Sequence, residues 1–239
     1  MSSSVVTQLG AILGIWAHPD DETFLVGGLL HEAAKAGQKV SCITATKGEA
    51  GVQDETRWPV ASLGDTRTQE LATALEILGA SQPHWLQYRD GECAQANDQE
   101  ATDQIRALIE EYQPDTVITF APDGLTGHDD HKAVSRWTTA AVQQLTNAPA
   151  LYYAVHTHEQ YEAVFRELDE KLNIYFNTTE PQLVPTSECS LQLNLSLDTL
   201  ATKIQALKAM PSQFDSFFAQ CTDSQAALAF GTEALVFAK

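Results

Sequence analysis

The chain has 239 residues, with 14 Lys and Arg against 32 Asp and Glu and a formal charge of −18. Nucleic acid and anionic membranes both need a cationic surface to bind, so neither fits as a partner, and a small-molecule substrate fits better. The length suits one α/β domain with a proper core rather than two small ones.

The apolar run 11–16 reads as a buried strand, and an apolar helical stretch over 23–36, stopped by Gly37, follows it directly. Residues 40–44 form a second strand, giving a β-α-β unit whose parallel pair is buried on both faces. No G-x-G-x-x-G fingerprint accompanies it, and Gly27-Gly28 is expected to allow close helix–sheet packing. Residues 47–65 lack periodicity and read as a long loop of the kind that carries function. A helix over 67–78 shows one stripe of Leu71, Ala74, Leu75 and Leu78. A strand at 84–87, a helix on Ala101, Ile105, Leu108, Ile109 and Tyr112, and a strand at 116–120 follow. The turn-rich stretch 121–127 leads into a helix from about His128. Beyond 150 the pattern gives a strand at 151–155, a helix near 160–171, an irregular stretch at 177–187 that is a lid or a connection, a strand near 191–195 and a helix after Asp198. This alternation predicts an α/β class with a Rossmann-like three-layer α/β/α arrangement around a mostly parallel sheet.

Two segments gather the residues suited to chemistry, each just after an apolar strand, where open α/β sheets form their ligand sites. The first is His18-Pro19-Asp20-Asp21-Glu22, and Pro19 suits a first helical turn, so the aspartates meet a helix N-terminus that favours ionised carboxylates. The second is His128-Asp129-Asp130-His131. Hydrolytic zinc takes three His, Asp or Glu ligands and keeps a position for water. His18 and Asp21, at i and i+3, can bind from one face of a turn, and a histidine of the second segment completes the set. A nearby carboxylate is then a candidate general base, and the remaining histidine a candidate to stabilise an oxyanion. Residue types alone leave open which histidine is the ligand and which of Asp20 and Asp21 is the base. Helix capping explains either segment taken alone, but two such segments together are much harder to explain that way.

Ala17-His18-Pro19-Asp20-Asp21-Glu22 resembles the A-H-P-D-D-E signature of the LmbE/PIG-L-like zinc-dependent N-deacetylases, and Gly127-His128-Asp129-Asp130-His131 resembles that family's H-x-D-H element. The resemblance covers about the first 140 residues. It implies that His18, Asp21 and His131 bind Zn2+, or another divalent ion such as Fe2+, and that Asp20 is the general base. It makes His128 the stabiliser of the tetrahedral intermediate, with Asp130 orienting it. Glu49 in Thr46-Lys47-Gly48-Glu49, Arg67 with Glu70, and Asp90-Gly91 match stretches that lie near substrate in the family. Glu49, Arg67 and Asp90 are therefore expected to bind substrate; a solvent-exposed loop glutamate, a surface arginine and a plain turn are the respective alternatives.

The implied activity is hydrolysis of the N-acetyl amide of an N-acetylglucosamine-type sugar or thiol-sugar conjugate, releasing acetate and a free amine. Residues 1–239 then form a single deacetylase domain, with 1–150 holding the metal and 151–239 deciding the substrate, and homo-oligomers occur in the family. A reading from another class is a non-catalytic metal- or sugar-binding protein of the same fold. A nucleotide-binding enzyme is disfavoured by the missing glycine fingerprint. His156 and His158 are expected to be exposed at a strand end, His84 to be structural, and Trp58 either to stack on a sugar or to lie under its loop. The widely spaced Cys42, Cys93, Cys189 and Cys221 suggest reduced thiols, and the lack of a basic, apolar leader suggests a cytoplasmic protein.

Overall fold

The computed structural model describes residues 6–238. Among them, β1 (Ile12–Trp16), β2 (Val40–Thr46), β3 (His84–Tyr88), β4 (Thr116–Phe120), β5 (Ala150–Val155), β6 (Leu191–Asn194) and β7 (Thr232–Phe237) form one sheet, ordered β3-β2-β1-β4-β5-β7-β6. The strands from β3 to β5 pair in parallel, and β7 lies antiparallel between β5 and β6. Helices α1 (Asp21–Lys35), α2 (Val60–Leu78), α3 (Asp98–Tyr112), α4 (Asp129–Gln143), α5 (Arg166–Leu172), α6 (Leu197–Lys208), α7 (Pro211–Gln220) and α8 (Asp223–Phe230) complete a three-layer α/β arrangement. Every residue of β1, β2 and β4 is buried, Ser41, Thr44, Thr46, Thr116 and Thr119 included, as in parallel strands covered on both faces. No helix among the described residues is long and apolar enough to cross a membrane.

The strand order reverses between β1 and β4: β2 and β3 continue to one side, β4 and β5 to the other. A crevice forms beyond the carboxyl ends of strands at such a reversal. His18 follows β1 and His128 follows β4, so the topology brings together two segments far apart in the chain.

Three local expectations change. The loop expected over 47–65 ends at Pro59, whose extended backbone (φ −61°, ψ 137°) starts α2 at Val60. The first turns of α2 bury Leu63 and Gly64 but leave Val60 half exposed, so they lack the periodicity that marked the rest of the helix. The helix expected near 160–171 is interrupted by a π-helical turn, Tyr161–Phe165, before α5. Beyond Lys208 the structure adds α7, α8 and β7, none of which was expected from the sequence.

The core has two parts. One packs both faces of the parallel strands; the other joins Leu78, Phe165, Leu207, Met210, Phe214 and Phe230, and Phe24 of α1 packs against both. Helix α1 bends at Val26, whose φ of −136° and ψ of 16° are not helical. Such a bend deprives the next amides of their usual carbonyl partners. Glu233 of β7 accepts the N–H groups of Gly28 and Leu29, each at 2.7 Å, and Lys203 Nζ lies 2.7 Å from Glu233 Oε1. Gly28 does permit a close approach, but of Leu195 and Glu233: a Cβ there would sit 2.5 Å from the Leu195 methyls and 3.0 Å from Glu233 Oε1.

Candidate metal-dependent active site

His18, Pro19 and Asp20 form the turn between β1 and α1, and Asp21 is the first residue of that helix. The Asp21 carboxylate turns back to accept the His18 backbone N–H at 2.7 Å. From the other side of the crevice, His131 enters on the first turn of α4. His18 Nδ1 lies 3.0 Å from His131 Nε2 and 3.7 Å from Asp21 Oδ2, while His131 Nε2 lies 3.4 Å from Asp21 Oδ1.

The remaining ring nitrogens have acceptors of their own. His18 Nε2 is 3.0 Å from Asp90 Oδ1 and 3.4 Å from Asp130 Oδ2, and His131 Nδ1 is 3.0 Å from the Gly124 carbonyl. These acceptors draw each neutral ring's proton to its outer nitrogen, so two bare lone pairs and a carboxylate face one another in a buried space. Such a trio can hold a cation between its members. Ligand bonds of about 2.0–2.1 Å in a tetrahedron put donor atoms about 3.3 Å apart; the two ring nitrogens lie 3.0 Å apart, and each has its own Asp21 oxygen nearby, Oδ2 for His18 at 3.7 Å and Oδ1 for His131 at 3.4 Å. Ring nitrogens that ligate a metal commonly donate outward to a carboxylate or a carbonyl, as both rings can here.

Burial opposes charge on His18, but the hydrogen bonds to Asp130 and Asp90 and the Asp21 charge outweigh it and push its pKa up to about 10. Burial raises Asp21 to about 7, against the pull of His18, and keeps His131 well below the usual histidine range.

His18, Asp90 and Asp130 bring ligand atoms within 4.8 Å of one another, as do His18, His128 and His131. In the first group the carboxylates are already engaged: Asp130 accepts from the backbone N–H groups of Gly91 (2.8 Å) and Cys93 (3.0 Å), and Asp90 from that of Ala50 (2.8 Å). In the second, His128 is the N-cap of α4, and its Nδ1 accepts the Asp130 backbone N–H at 3.1 Å. That bond leaves the neutral ring's proton on Nε2, and burial followed by the His18 charge lowers the pKa of His128, which favours the neutral donor.

The Asp130 carboxylate was expected to orient His128. It hydrogen-bonds His18, Gly91 and Cys93, because the β3–α3 connection supplies two amides on that side; Asp130 meets His128 by the hydrogen bond of its backbone N–H and by the attraction between carboxylate and ring. Arg67 lies at the cleft wall but is only 3% exposed. Its Nη2 donates to Asp20 Oδ2 at 3.0 Å and Pro19 O at 3.3 Å, and its Nη1 to Gly48 O at 2.8 Å. Gly48, at φ +65°, has no room for a Cβ, which would lie 2.2 Å from Arg67 Nη1. Glu49 sits behind Asp90 and accepts its backbone N–H at 3.1 Å. Glu22 is fully buried, accepts from the Thr23 hydroxyl, and is pushed by burial up to about 8.

The cleft has a volume of about 480 Å³ and is bounded by His18, Asp20, Asp21, Asp90, His128 and His131 together with residues that carry no motif. Among the latter are Val52, Ile174, Phe176 and Gln213; Phe176 is 64% exposed at this cleft. Only the unperiodic character of the neighbouring sequence hinted at them. His156, expected to be exposed, is buried: its Nδ1 meets the Tyr175 hydroxyl at 2.5 Å and its ring stacks on Phe165, while His158 is exposed.

Residues 13–142 match the PIG-L family, described as GlcNAc-PI de-N-acetylase. A 1D-myo-inositol 2-acetamido-2-deoxy-α-D-glucopyranoside deacetylase from Actinosynnema mirum is 30% identical over 227 residues, covering 84% of this chain and 80% of that protein. Among solved structures, an N,N'-diacetylchitobiose deacetylase from Pyrococcus horikoshii aligns with a TM-score of 0.69 at 22% identity, covering 100% of this chain and 87% of the other. A 4-carboxy-2-hydroxymuconate hydratase from Pseudomonas putida KT2440 shares the fold at a TM-score of 0.63 and 16% identity, covering 96% of each chain. The family match spans more than half the chain and includes both histidine–aspartate segments, and the chain belongs to the PIG-L (LmbE-like) family.

Proposed function

We propose that the chain removes the acetyl group from an N-acetylglucosamine-type sugar, with a divalent cation, zinc foremost, held by His18, Asp21 and His131. The observation that carries this reading is the convergence of two lone pairs and a carboxylate beside Asp20. The relatives named as deacetylases of acetamido sugars support the substrate class. The hydratase on the same fold means that product release, rather than fold, is the test.

When bound, the cation acidifies water and polarises the amide carbonyl. Asp20 takes the proton of the attacking water, and Arg67 aims the carboxylate through Oδ2, leaving the other oxygen to receive it. His128 presents Nε2–H to the oxyanion, as a neutral donor already oriented by the α4 amide that its Nδ1 accepts. Asp20 then returns the proton to the departing amine. Asp90 and Asp130 keep the proton of His18 on Nε2, and Glu49 steadies Asp90. Asp90 also lines the cleft, where it can accept from sugar hydroxyls.

Asp20→Asn should lower amine release from N-acetylglucosamine-type substrates by at least about a thousandfold while the protein keeps its metal by elemental analysis, since the amide cannot accept the proton. Near-native turnover by this variant would remove Asp20 from the mechanism.

A further inference from the structure

The cleft has a second direction that an acetyl group does not fill. Its polar side is formed by Arg67, Asp90, Gly91 and His128. From Asp20, Asp21 and His131 a side chamber of about 230 Å³ runs instead between Phe24, Leu25, Leu125, Ile174 and Phe214. Leu25, Leu125 and Phe214 are each less than one-tenth exposed, and the Phe24 and Phe214 rings stack with centroids 6.3 Å apart and planes 17° apart. Gln53, Thr126 and Gln213 also line the chamber, but the Gln213 amide already donates to the carbonyls of Gly51 and Ser212.

The two sides of a scissile amide differ in chemistry as these two directions do. A sugar carries hydroxyls that lose hydrogen bonds against apolar walls, so it belongs on the polar side. The acyl group is apolar beyond its carbonyl and belongs in the chamber. A methyl is close in size to a water, whose share of the liquid is about 30 Å³, so acetyl leaves most of the chamber open. We infer that the enzyme accepts, and favours, N-acyl glucosamines whose acyl chain has roughly four to six carbons, with Ile174 and Phe214 setting the length. This inference rests on the deacylase chemistry proposed above and extends it from acetyl to longer acyl groups.

The test uses the metal-loaded, full-length protein and measures amine release from N-acetyl-, N-butyryl- and N-hexanoyl-glucosamine. Each methylene withdrawn from water should raise kcat/KM by about fourfold until the chamber is full. Ile174→Trp, which fills the chamber from its partly exposed wall, should lower the butyryl-to-acetyl ratio of kcat/KM by tenfold or more. Phe214→Leu should move the optimum to longer chains, and it keeps the test open if the first variant does not fold. A wild type that prefers acetyl to both butyryl and hexanoyl, or a ratio unmoved in both variants, overturns the inference while leaving the deacetylase reading intact. So does a gain confined to alkyl glycosides of N-acetylglucosamine, which would assign the chamber to the sugar's aglycone. No amine release from any of these, acetyl included, with metal bound, overturns both readings.

Discussion

At the scale of single residues, burial decides which protonation state each group can hold. His156 is the plainest case outside the site: burial and then the Lys203 charge hold its pKa at about 3, so the ring stays neutral where it hydrogen-bonds the Tyr175 hydroxyl. The unfolded chain protonates this histidine below about 6.5, whereas the folded chain resists until about 3. Stability is therefore complete above 6.5 and falls by up to about 1.4 kcal/mol per pH unit as the pH drops toward 3. Urea unfolding at pH 6 and pH 4 should show a shallower decline for His156→Asn than for the wild type, and parallel declines would exclude this role. The sequence showed His156 only as one of two histidines at a strand end; its burial depends on Phe165 and Tyr175, which lie in later segments.

At the scale of elements, α1 carries the site at its first turn and a bend one turn further on. The bend is held by a pair that is almost wholly inaccessible, Lys203 of α6 and Glu233 of β7, at 1% and 0% side-chain exposure. Breaking a buried pair strands the other charge, so Lys203→Met should cost about 3–5 kcal/mol in denaturant unfolding. Adding Glu233→Gln should recover a large part of that loss, since the neutral amide oxygen still accepts a backbone N–H; a double variant no better than the single would argue that Lys203 acts through packing alone. The elements around β1, β2 and β4 and the later turns of α2 were evident from the sequence because short, largely apolar runs or a helical apolar period mark them. Helices α7 and α8 are short, with too few turns to establish a period, and β7 owes its place to pairing with β5 and β6.

At the scale of the whole molecule, a parallel sheet with its reversal between β1 and β4 brings segments over a hundred residues apart into one candidate cation site. An ion that binds only the folded form stabilises it by mass action, about 2.7 kcal/mol at a hundredfold excess over Kd. Removing metal with a chelator should therefore lower Tm by several degrees, and zinc should restore it. A Tm indifferent to both treatments would speak against a cation at His18, Asp21 and His131.

By itself the sequence determined the class of fold and the identity of the two reactive segments, because strand burial, helix entry and the His18–Asp21 spacing are local properties of the chain. Only the tertiary structure decided what Asp130, Arg67 and Glu49 do. Asp130 supports His18 through amides supplied after β3, Arg67 holds Asp20 across from α2, and Glu49 steadies Asp90. The apolar chamber is decided the same way, by Leu125, Ile174 and Phe214 meeting Phe24. The physical reason is shared: a side chain's partner depends on which distant segment docks beside it, and neither periodicity nor motif spacing records that docking.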